Sequence, residues 1–124
     1  MTETVAKNRK PTPSADVTPA MFHILLALAE GPRHGYAIMQ EVERSTHGEM
    51  RLPPGTLYRS IKRLLDDGLI EESGGPDDDD TDERRRYYEL TADGRGVAVG
   101  EARRLAEIVG LARAKNLLDG HERV

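Results

Sequence analysis

The chain has 124 residues and a mass of 13.8 kDa, the size of one domain with short appendages and too small for an enzyme with a separate cofactor domain. It is 37% hydrophobic, 4% aromatic and 32% charged, with net charge −4, so the core must come from Leu, Ile, Val and Ala, and a compact, mostly helical protein is expected. The absence of Cys excludes a disulfide scaffold, a Cys-ligated metal site and a thiol nucleophile; no apolar run approaches the roughly 20 residues of a membrane span, and Met1 to Ser14 lack the apolar stretch of a signal peptide, so a cytoplasmic protein is expected.

Residues 1–17 carry Lys7, Arg9, Lys10, Pro11 and Pro13 without periodicity and read as a flexible tail. Thr18 can cap a first helix with Pro19 at its first position, and Phe22, Leu25, Leu26, Leu28 and Ala29 fall mainly on one face before Gly31-Pro32 ends it. A second helix is expected from His34 or Gly35 to about Ser45, with Tyr36, Met39 and Val42 at helical spacing and Gln40, Glu41 and Arg44 outside. Leu52-Pro53-Pro54-Gly55-Thr56 introduces a third, whose Leu57, Ile61, Leu64 and Leu65 form an apolar stripe and which Gly68 stops.

Leu69 to Ser73 and Arg86 to Leu90 read as two short strands joined by a long loop, a β-hairpin with an extended tip. Thr91 then caps a last helix, Ala92 to about Leu118, about 40 Å long. Six of the 22 acidic residues lie between Asp77 and Glu83, in the hairpin tip; without them 18 basic residues face 16 acidic ones. The rest of the chain is therefore mildly basic.

Three helices followed by a hairpin is the order of a winged helix-turn-helix, in which the third helix enters the major groove and the hairpin flanks the backbone. The third helix leaves Thr56, Tyr58, Arg59, Ser60, Lys62 and Arg63 largely outside. A plain solvated face would pair such cations with Asp66 and Asp67. Against that bland reading stands a second cluster, Arg84-Arg85-Arg86, at the base of the hairpin where a wing meets phosphates.

The folded chain resembles the PadR family of transcriptional regulators. Gly31-Pro32-Arg33-His34-Gly35-Tyr36-Ala37-Ile38 is similar to the segment leading into the family's second helix. Pro54-Gly55-Thr56-Leu57-Tyr58, with Arg63-Leu64 and Asp67-Gly68-Leu69-Ile70, resembles its recognition-helix signature. Arg85-Arg86-Tyr87-Tyr88-Glu89-Leu90-Thr91, followed by Gly94, resembles its second wing strand. The resemblance implies a homodimeric regulator, usually a repressor, that binds a two-fold symmetric operator and is often released by a small-molecule effector. It maps DNA contacts onto Gly55, Thr56, Tyr58, Arg59, Lys62 and Arg63 and onto Arg84, Arg85 and Arg86. Two features depart from the pattern: Pro53 stands where members often have a Ser able to cap the recognition helix, and the wing tip is unusually acidic.

In the last helix Ala98, Ala102, Leu105, Val109 and Ala112 recur at spacings of four and three, and Ile108 widens the seam. A helix this long outreaches a small core, so this stripe is the expected dimer interface, the alternative being a helix folded back on its own domain. Gly94, Gly96, Gly100 and Gly110 each weaken it by about 1 kcal/mol relative to Ala, which makes it dependent on packing. The expected organisation is thus a tail (1–17), a winged helix-turn-helix DNA-binding domain (18–91) and a C-terminal dimerisation helix with a short tail (92–124). The fold class is mainly α with a small β-hairpin.

His23, His34, His47 and His121 are scattered without metal-ligand spacing, and the acidic run lacks the spacing of a calcium loop, so no metal or cofactor is expected. No nucleophile elbow, phosphate loop or dinucleotide fingerprint occurs, and an enzyme is not expected. Tyr36 and Tyr87 read as core aromatics, whereas Tyr58 can pack beside its helix and still offer its hydroxyl to a phosphate. The competing functional class is a winged helix that binds another protein through its charged face.

Overall fold

Side-chain caps decide where three of the four helices begin. The computed structural model describes residues 17–74 and 86–119. In chain order these form α1 (Pro19–Ala27), β1 (Arg33–His34), α2 (Gly35–Ser45), α3 (Pro54–Asp66), β2 (Ile70–Ser73), β3 (Tyr87–Leu90) and α4 (Ala92–Ala114). Thr18 Oγ1 accepts from the Met21 N–H at 3.1 Å, His34 Nδ1 from Ala37 at 3.1 Å, and Thr91 Oγ1 from Gly94 at 2.9 Å. The two threonine caps are each worth about 1 kcal/mol. α3 starts behind Pro53 with no side-chain cap.

Three helix ends share one device. His47, Gly68 and Asn116 adopt φ of 55°, 76° and 64°, turning the chain back so that the N–H groups of Gly48, Leu69 and Leu117 reach Glu43, Leu64 and Ala112 carbonyls at 2.8, 3.0 and 2.8 Å. Only Gly68 adopts this backbone without the cost a Cβ adds. The Asn116 reversal ends α4 at Ala114, short of the Leu118 that the apolar stripe suggested.

The core gathers Ile24, Leu25 and Leu28, Ile38 and Val42, Leu57, Ile61 and Leu64, and from the sheet Ile70 and Tyr88, all essentially buried. On α1 the buried face is Met21, Ile24, Leu25 and Leu28, an i, i+3, i+4, i+7 set, so Leu26 and Ala29 fall outside it and are exposed. Tyr36 is likewise not a core residue. Ile38 and Val42 set the inner face of α2, and two residues at 100° each turn Tyr36 almost opposite, leaving it 56% exposed.

The sheet has three strands in the order β1-β3-β2, all antiparallel. β1 pairs Arg33 with Tyr88 and His34 with Tyr87; β2 pairs Ile70 with Leu90 and Ser73 with Tyr87. A third strand was not expected beside the hairpin. The inward tyrosine of β3 is Tyr88, not Tyr87: the alternation is right and its phase is reversed. Tyr87 lies edge-on to His34 with ring centroids 5.4 Å apart.

α4 is fastened to the domain at its start. Thr91 donates to the Gly68 carbonyl at 2.7 Å, and its N–H to the Leu69 carbonyl at 3.1 Å. Gly94 lies against that same Leu69 carbonyl with no room for a side chain. Arg95 reaches the Ala29 carbonyl at 3.2 Å, and Val97 and Ala98 pack on the core.

One charged residue of α4, Glu101, is buried, and Arg104 grips it through Nε–Oε1 at 3.1 Å and Nη2–Oε2 at 2.6 Å. The bidentate hydrogen bond and the cation hold the Glu101 carboxyl below its ordinary value, outweighing its desolvation. A lowered folded pKa contributes stability above the unfolded value, which is lost as pH falls through the folded one. Glu101→Gln is therefore expected to be less stable than the parent at pH 7, and the gap between their denaturation midpoints should close as pH drops below about 4.3.

Candidate nucleic-acid interface

The buried stripe of α3 dictates what faces out. With Leu57, Ile61 and Leu64 inside, Gly55, Tyr58, Arg59, Lys62 and Arg63 are exposed and Thr56 is half-buried. Because Pro53 offers no side-chain oxygen, no side chain caps the N–H groups of Gly55 and Thr56 at this helix start. A Cβ at Gly55 would meet nothing nearer than Arg59 Nη1 at 4.0 Å, so internal packing gives no reason for a glycine there. Without a side chain there, the backbone at this helix start is left open.

Tyr58 leans back on α2. Its hydroxyl and ring edge fill the space a side chain at Gly35 would need, while the ring stays 41% exposed. Gly35 thereby leaves room for Tyr58 at the rim of the face.

The cations differ in company. Lys62 Nζ pairs with Asp66 at 3.1 Å and Arg63 Nε with Asp67 at 3.2 Å, the pairing expected of a solvated face. Arg59 touches only the Thr56 hydroxyl, at 3.4 Å, and has no carboxylate partner among the described residues. Arg59, Ser60, Lys62, Arg63 and Asp66 line an open concavity of about 390 Å³ with Thr18 and Met21 of the α1 start. On the wing, Arg86 directly precedes β3 and pairs with Glu72 at 3.1 Å. Arg84, Arg85 and the acidic run Asp77 to Glu83 lie outside the described residues.

A second hollow of about 600 Å³ lies over α2, between Arg33, Gln40, Glu43 and Arg44. Arg44 and Glu41 are 2.7 Å apart, and this bond and charge raise the Arg44 pKa above its ordinary value. Arg33 reaches Glu30 at 3.3 Å and Glu41 at 3.9 Å, so the charges there are largely compensated. Among the described residues no group of His, Asp or Glu is arranged to hold a metal ion, and no helix is long and apolar enough to cross a membrane.

The seam residues of α4 divide along its length. Ala98 packs on its own core; Val109 and Ala112 are half-buried; Ala102, Leu105 and Ile108 are exposed. Val99 and Leu111, which lie off that seam, are exposed too.

Three core helices and a small three-stranded antiparallel sheet, two of whose strands form the hairpin after the third helix, define a winged helix-turn-helix. Residues 24–98 match the profile of the Transcriptional regulator PadR-like family, and the chain belongs to that family, whose members are regulators of transcription. Three solved structures have the same fold. A transcriptional regulator from Clostridium thermocellum is 24% identical, with 77% of this chain and 87% of that one covered and a TM-score of 0.64. A PadR family regulator from Clostridium difficile is 22% identical, with 78% and 97% covered and a TM-score of 0.62. RosR of H. salinarum, in the complex structure hsRosR-S1, is 26% identical, with 86% and 100% covered and a TM-score of 0.59. No curated protein matches the chain.

Proposed function

We propose that this PadR-like regulator binds duplex DNA, as a repressor on a two-fold symmetric operator, with residues 18–91 reading DNA and 92–124 joining two copies. The observation that carries the reading is the outward face of α3, where cationic and hydrogen-bonding groups stand around a concavity; the wing adds the cation Arg86. In this reading Gly55 and Thr56 bring the helix start close to DNA, and Arg59 and Lys62 face the groove, Arg59 toward base edges and Lys62 toward the phosphates that rim it. Tyr58, Arg63, Arg84, Arg85 and Arg86 serve the backbone. Release by a small-molecule effector belongs to the same proposal.

Anisotropy titration of labelled duplex from upstream of the protein's own gene, across a salt series, is the test. Binding is expected to weaken linearly in log–log form, by a slope of roughly −0.9 per phosphate contact. Absence of binding to any genomic duplex at low salt would assign the face to a protein partner instead.

The dimer rests on the exposed Leu105 and Ile108, with Ala98, Ala102, Val109 and Ala112 along the same seam. A two-fold axis makes such a seam self-complementary, so that a residue at its centre lies near its own mate and the others pair reciprocally. Leu105→Glu should therefore sediment as a monomer at micromolar concentration where the parent is a dimer, since it buries a charge without a partner. A variant that stays dimeric moves the interface elsewhere.

A further inference from the structure

The two carboxylates at the end of α3 are poorly placed for the helix that carries them. Asp66 is its last residue and Asp67 its C-cap, the end where the helix dipole disfavours negative charge. Their ion pairs run from cation to acid along the chain, Lys62 to Asp66 and Arg63 to Asp67, which is the weaker of the two i, i+4 orientations. All four side chains are open to water, Asp67 the least, so helix stability gains little from either pair. What the acids do instead is occupy two of the three cations on the face. Asp66 also lines the concavity shared with Arg59, Lys62 and Arg63, so an anion entering it meets a carboxylate. Arg59 alone among these three keeps its charge without an acid beside it.

We infer that Asp66 and Asp67 set the protein's affinity for DNA of any sequence, acting as intramolecular competitors for the phosphates that Lys62 and Arg63 would contact. This rests on the DNA-binding reading above and goes beyond it. Phosphate contacts supply nearly all sequence-independent affinity, and here each must displace a tethered carboxylate. A base contact from Arg59 displaces none. The affinity that remains is weighted toward sequence, which limits capture by the excess of non-target DNA.

The experiment is a salt series on a mixed-sequence duplex with the full chain, its Asp66→Asn/Asp67→Asn form and a control, Glu107→Gln, which removes one negative charge from α4. At low salt the double variant should bind about two- to thirtyfold more tightly than the parent, with a steeper salt slope, and the gain should vanish at high salt. Its thermal midpoint should equal or exceed the parent's, because the dipole no longer opposes the acids. Glu107→Gln should bind like the parent. A double variant that gains nothing, or a control that gains as much per charge, overturns the inference while salt-dependent binding by the parent leaves the DNA reading intact. If parent and variants alike ignore the duplex at low salt, both fall together.

Discussion

Gly94→Ala is expected to lower stability by about 1–3 kcal/mol, while Gly96→Ala, two residues along the same helix, should raise it by up to about 1 kcal/mol. In a helix alanine is the better residue at both places, so propensity predicts two gains. The difference lies in what a methyl would meet. At Gly96 nothing stands within 4 Å. At Gly94 the methyl would fall on the Leu69 carbonyl oxygen, and Leu69 cannot give way easily. That carbonyl also accepts the Thr91 N–H, and the Leu69 N–H closes the end of α3 on the Leu64 carbonyl. Moving it therefore strains α3 and α4 together. Chemical denaturation of the two variants beside the parent measures both signs, and a Gly94→Ala protein as stable as Gly96→Ala would show that α4 does not rest on Leu69.

The second large effect is on recognition. Arg59→Ala should cost about 1–3 kcal/mol on the preferred sequence, roughly five- to 150-fold in affinity, and relax preference at the position it reads. Lys62→Ala and Arg63→Ala should weaken binding less, and equally on all sequences. Each now holds an aspartate that a phosphate must displace, so its net contribution starts smaller. Competition between a selected duplex and mixed-sequence DNA separates the two behaviours. Arg59→Ala with unchanged affinity and unchanged preference would move base reading to another part of the face.

Much of this architecture can be read from the residues because local signals agree with the packing. Thr18-Pro19, Thr91 and Gly68 act in the structure as their residue types suggest, and Leu57, Ile61 and Leu64 bury the face of α3 that leaves its cations outside. β1 escaped notice because two residues, Arg33 and His34, have no period to detect; they form a strand only because β3 offers them a ladder. Tyr36 and Tyr87 lie outside the core for a related reason: an aromatic ring suggests burial, but the phase of its element decides. His34 as the cap of α2 is equally hard to foresee, since histidine is not a usual cap. On the candidate site, the spacing of Lys62 and Arg63 to Asp66 and Asp67 forecasts their pairing, whereas the closeness of Tyr58 to Gly35 depends on how two helices cross.

The strand order has a consequence for self-association. β3 is the strand richest in aromatic and apolar side chains, Tyr87, Tyr88 and Leu90, and it lies between its two neighbours with its backbone groups engaged on both sides. Among the described residues the edge strands are β1, only two residues long, and β2, which exposes Glu71 and Glu72. Short or acidic edges make poor templates for a strand from another copy, because there is little ladder to extend and like charges meet across it. The sheet is thereby guarded against runaway edge-to-edge growth.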